Sequence, residues 1–74
     1  MKMDLKIIQK ACRLTRLNNN LSIREMSELT GISYGKFYHF ENNRTNNAEI
    51  LIQYINLLGW HNIIYFYGVI KNGN

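Results

Sequence analysis

Apolar residues recur along this chain at three- and four-residue steps, the spacing that lays them on one face of an α-helix. Leu5, Ile8, Cys12 and Thr15 form the first such face and predict a helix over residues 3–18. The run Asn18-Asn19-Asn20 ends it, because asparagine tolerates the left-handed conformation that closes many helices. Further helices are predicted over 23–30 and 34–42, with a polar loop from Asn43 to Asn46 after them. A fourth helix starts at an Asn46 or Asn47 cap and runs to Leu58, where Gly59 stops it. Ile50, Leu51, Tyr54, Ile55 and Leu58 form its apolar face, and Glu49 in its first turn favours the helix dipole. The segment IIYFYGVI, residues 63–70, fits two descriptions. Its β-branched and aromatic content suits a strand. A short fifth helix capped by Asn62 puts Ile63, Phe66, Tyr67 and Ile70 on one side, and the helix is the better fit. Lys71 to Asn74 reads as a frayed end. The pattern contains no internal repeat and predicts one all-α domain over residues 1–74.

The stretch LSIREMSELTGISYGKFYHFE, residues 21–41, carries the most information. It reads as two short helices joined by a tight turn at Gly31. Ser22 stands at an N-cap position and Glu25 three residues on completes a capping box. Ser33 is placed to cap the second helix in the same way. Gly31 suits a sharp turn with φ > 0, which costs a residue with a Cβ more. Met26, Leu29, Ile32, Phe37 and Phe40 supply apolar contacts, with Phe37 and Phe40 expected in the core. Such a helix–turn–helix, residues 22–41, holds its second helix out from the body, where it can enter a DNA major groove.

Composition narrows the function. A net charge of +4 and a pI near 9.5 suit an acidic partner such as nucleic acid. Cys12 is the only cysteine, so no disulfide forms within one chain. It reads as a small apolar core residue; a reactive thiol beside Arg13 and Arg16 is the lesser alternative. His39 and His61 have neither the ligand spacing of a metal site nor a Ser or Cys partner at a catalytic spacing. The five glycines are scattered and form no phosphate loop. No catalytic residue, metal site or cofactor is therefore expected, and the chain does not read as an enzyme. The longest apolar run, Ile63 to Ile70, is too short to span a bilayer. The N-terminal MKMDLKII lacks the apolar core of a signal peptide, so the expected location is cytoplasmic.

The chain resembles the Cro/C1-type helix–turn–helix proteins, which include phage repressors. The resemblance covers about residues 8–59 and rests on Arg16, Leu21-Ser22, Met26, Gly31-Ile32-Ser33, Phe37, Phe40 and Glu41. It implies a lambda-repressor-like bundle of four to five helices and an ion pair between Arg16 and Glu41. It also implies that the third helix reads DNA. By position, Ser33, Tyr34, Gly35, Lys36, Tyr38 and His39 would face base edges. Ile23, Arg24, Asn42, Asn43 and Arg44 would lie along the phosphates. Three departures stand out. Ile23 replaces a glutamine that clamps a phosphate, Ser27 replaces a close-packing alanine, and Gly35 interrupts the reading helix.

Two functions follow. The first is a sequence-specific regulator resembling phage Cro-like repressors, acting in a bacterial host cell as a dimer on a double-stranded DNA operator. The second is an antirepressor, or modulator of repression, that binds a partner repressor protein as a heterodimer. Its motives are the weakly basic face of the third helix, the interruption at Gly35 and surplus apolar surface: Met3, Ile7, Leu14 and Leu17 form a second stripe on the first helix, and Tyr65 and Phe66 add to it. Either the tail folds back over that stripe, or the stripe is a protein interface.

Overall fold

The computed structural model describes residues 2–73. Its first helix, α1 (Leu5–Asn18), begins at Asp4, whose carboxylate accepts the Lys6 N–H at 2.9 Å. This cap sets the start later than the apolar pattern alone predicts. Asn20 closes the helix with φ 55, the left-handed residue expected in the asparagine run. The capping box at Ser22 forms as predicted. Its hydroxyl accepts from Glu25 N–H, and the Glu25 carboxylate accepts from Ser22 N–H, both at 3.0 Å. That box opens α2 (Ile23–Thr30), and Gly31 ends it at φ 75.

Three residues, Gly31 to Ser33, separate α2 from α3 (Tyr34–Glu41). Two hydroxyls hold this turn. Ser27 Oγ donates to the Ile32 carbonyl at 2.5 Å, and Thr30 Oγ1 accepts the Ile32 N–H at 3.2 Å. The change to Ser27 thus adds a tie across the turn. Ser33 makes no side-chain cap, contrary to the sequence expectation. Asn42 and Asn43 end α3, with Asn43 at φ 60. Asn47 caps α4 (Ala48–Leu58) by accepting the Glu49 N–H at 2.8 Å.

The tail is helical. α5 (Trp60–Asn72) follows Gly59 directly. Asn62 does not cap it; its side chain donates to the Leu58 carbonyl at 2.7 Å and closes α4 instead. Lys71 and Asn72 continue the helix rather than fraying; Asn74 lies outside the described residues. The chain is thus all-α, with five helices and no strand among the described residues. No helix among them is long and apolar enough to cross a membrane.

α5 packs along α1 more extensively than any other pair of helices meets. The Asp4 N–H donates to the Tyr67 hydroxyl at 2.9 Å and ties the start of α1 to α5. The core joins Ile8, Ala11 and Cys12 of α1 to Met26, Phe37, Phe40, Ile50, Tyr54, Ile63 and Tyr67. Phe40 stacks on Tyr54 with centroids 5.4 Å apart, and Phe37 meets the same ring edge-on at 5.7 Å. Such pairs add about 0.5–1.5 kcal/mol beyond the area they bury. Leu5 and Leu29 leave the expected apolar set and face solvent. Leu29 sits on the outer side of a helix only two turns long, and Leu5 lies in the first turn of α1.

Candidate nucleic-acid interface

Glu41 is the electrostatic centre of the bundle. Arg16 grips it with two parallel bonds, Nε to Oε2 at 2.7 Å and Nη2 to Oε1 at 2.9 Å. The Tyr54 hydroxyl donates to Oε2 as well. Both charged side chains are buried, so this pair is not a screened surface contact. The third guanidinium nitrogen, Nη1, donates to the Leu21 carbonyl at 2.8 Å. Hydrogen bonding to Glu41 raises the Arg16 pKa, and burial raises that of Tyr54. One cluster therefore fixes α1, the lead-in to α2, the end of α3 and the middle of α4.

Gln9 performs a parallel task that the sequence did not reveal. It is buried, and its Nε2 donates to the Phe40 carbonyl at 2.9 Å and the Thr45 carbonyl at 2.5 Å. The C-terminus of α3 and the loop to α4 are held to α1 by this amide. Its partners lie 31 and 36 residues away, so no local spacing betrays it.

With its inner side anchored, α3 presents an outer side of different character. Phe37 and Phe40 have no exposed surface, while Ser33, Tyr34, Lys36, Tyr38 and His39 are exposed. Tyr34 and Tyr38, one turn apart, stack with centroids 6.2 Å apart. The Arg44 guanidinium lies over the Tyr38 ring at 5.7 Å, and its Nη1 is 3.5 Å from His39 Nδ1. The Arg44 N–H donates to the His39 carbonyl at 2.9 Å, which brings the loop back onto α3. A cation–π contact at such a surface contributes about 0.5–1 kcal/mol. Its main consequence is order: two tyrosines, a histidine and an arginine share one surface.

Other sequence-chosen residues fall less uniformly. Arg24 is exposed in the first turn of α2 and borders a recess with Ser22, Ile23 and Tyr34. Ile23 packs into the core, so a hydrophobic anchor stands where the resemblance implies a phosphate clamp. Gly35 is half-buried, and a Cβ added there would meet nothing within 4 Å. Asn42 is exposed, but its Nδ2 is bonded to the Tyr38 carbonyl at 2.8 Å. Asn43 is half-buried, and its Oδ1 is buried with no hydrogen-bond partner.

The proposed protein-interface stripe is largely covered. Met3, Ile7 and Phe66 pack at the edge of the core, and Leu14 is half-buried. Only Leu17 and Tyr65 of that set are exposed. The folding of α5 onto α1 accounts for the difference. Cys12 is fully buried, and its thiol is pushed up to about 12 by burial and by the charge of Glu41. A neutral, sealed thiol is a poor nucleophile. His61 lies exposed beside the partly exposed Trp60. Among the described residues, no three His, Cys, Asp or Glu side chains gather as a metal site. No protein-family model, curated protein or solved structure matches the chain.

Proposed function

We propose that this chain is a sequence-specific DNA-binding regulator that places α3 in the major groove of double-stranded DNA. The observation that carries the reading is the division of α3. Its inner aromatics, Phe37 and Phe40, are sealed in the core, while Tyr34, Lys36, Tyr38 and His39 project together to solvent. Lysine and histidine donate to the acceptor edges of guanine, and tyrosine rings pack against thymine methyls or bond phosphates. Arg24 at the start of α2 and Arg44 after α3 flank that surface with positive charge. Two copies related by a two-fold axis would engage successive major grooves on a pseudo-palindromic operator. Occupation of a promoter by such a dimer is enough to repress it.

Gel shifts and fluorescence anisotropy against duplexes flanking the gene test the reading. Binding is expected to weaken steeply with salt. Lys36→Ala and Arg44→Ala should each weaken binding and reduce the salt slope by about 0.9 for each phosphate contact removed. Binding that ignores both substitutions at every salt concentration rejects α3 as the reading helix.

One observation favours a second reading on the same surface. Arg44 is already engaged with Tyr38 and His39, which leaves an aromatic face bordered by Lys36. Such a face also suits a partner repressor protein, as in an antirepressor. A chain that shifts no duplex alone, but removes or strengthens the shift of a neighbouring repressor, identifies that activity.

A further inference from the structure

A hollow of about 400 Å³ lies beside the outward surface of α3, between Gly35, Lys36 and His39 and the start of α4. Gly35 lines it, and a Cβ built there would meet nothing within 4 Å. Ile50, itself 1% exposed, lines it from the core side. Lys36, His39 and Thr45 border it, and no carboxylate does. With Ser33 and Asn47 also on the rim, an apolar base under a polar, acid-free rim that carries one cation, Lys36, is complementary to an apolar group carried on a polyanion. In the DNA major groove the one apolar group on a base edge is the thymine 5-methyl.

We propose that this hollow is a thymine-selecting pocket, with Gly35 as its specificity-determining residue. The inference rests on the DNA-binding reading and adds a base identity to it. A side chain at position 35 would occupy the space that the methyl enters. Gly35 therefore contributes by leaving room, while Lys36 and His39 on the same side of α3 hold the DNA against it.

The test selects binding sites from a random duplex pool with the full chain, then exchanges each thymine of the selected site for deoxyuridine. For the unsubstituted protein, one exchange should weaken binding about fourfold, the worth of one buried methyl-sized group. Gly35→Leu should bind the thymine and uracil duplexes alike at that position, and Gly35→Ala should fall between. Circular dichroism checks that both variants keep the helical fold. A pool that yields no preferred site overturns the DNA-binding reading, and the pocket with it. A selected site in which every thymine tolerates exchange overturns the pocket alone. The same holds if Gly35→Leu retains the full uracil penalty.

Discussion

Replacing Arg16 with methionine tests the claim that the buried cluster around Glu41 fixes the frame behind α3. The side chains of Arg16 and Glu41 are 8% and 2% exposed, so water cannot take over when either is removed. Methionine keeps much of the volume and the unbranched stem. It deletes the bonds at 2.7 and 2.9 Å to the carboxylate and the one at 2.8 Å to the Leu21 carbonyl. Glu41 would then keep only the Tyr54 hydroxyl. Stranding a buried charge in this way costs about 3–5 kcal/mol. The orphaned Leu21 carbonyl adds about 1 kcal/mol. A chain of 74 residues has a total stability of roughly 4–11 kcal/mol. The single variant should therefore unfold at much lower urea, or be unfolded without it. The double variant Arg16→Met/Glu41→Gln removes both charges and leaves an amide for Tyr54, so it should recover more than half the loss. Urea melts followed by far-ultraviolet circular dichroism measure each step. A loss below about 1 kcal/mol for Arg16→Met, or a double variant no better than the single, would refute the reasoning.

Gly35→Ala should stabilise the fold by about 1 kcal/mol, because alanine is the better helix former and finds open space there; a raised urea midpoint checks it. Stability should also fall at alkaline pH. The Cys12 thiol, 9.0 when free, is pushed up to about 12, and Tyr54 is raised above its usual 10.0. Both are acids kept neutral by the fold, so the unfolded chain holds fewer protons above pH 9 or so. Their contribution is complete below that value and is lost progressively as pH rises from there towards the folded-state values, about 12 for Cys12. Melts should be flat from pH 7 to 8.5 and fall beyond it, by up to about 1.4 kcal/mol per pH unit for each proton. Cys12→Ala should remove one proton's share of that slope; an unchanged slope would count against the burial argument.

The parts of this fold that could be read in the sequence are those whose partners are close along the chain. Ser22 and Glu25 are three residues apart, and their reciprocal caps need no tertiary context. Gly31 and Asn20 mark left-handed positions that their residue types permit at low cost. The Arg16–Glu41 pair followed from a resemblance, since nothing in its spacing demands it. Tyr54 and Tyr67 were placed on apolar faces, but their hydroxyl partners stayed hidden, as did Gln9 altogether. Each is an amphipathic side chain whose polar end meets a group 13 or more residues away. The local signal also misled at Ser33, which has the right residue type for a cap but makes none. At the candidate interface, the α3 positions implied by the resemblance, Ser33, Tyr34, Lys36, Tyr38 and His39, are exposed, and Gly35 is half-buried. Residue types could not show that the Asn43 amide oxygen is buried or that Arg44 folds back onto Tyr38.

That fold-back bears on recognition. A free arginine and two free tyrosines lose rotamer freedom on binding, at about 0.5–1.5 kcal/mol for each side chain immobilised. Here Tyr34 rests on Tyr38 at 6.2 Å and Arg44 on Tyr38 at 5.7 Å, so part of that loss has already occurred in folding. Gly35 runs the opposite way. It weakens an eight-residue helix, and the space around it would accept alanine. On the proposed function, DNA would approach α3 there, at the hollow between Lys36, His39 and Ile50. A face ordered in advance at one end and left open at the other is suited to a rigid, shaped partner, and the DNA major groove is one.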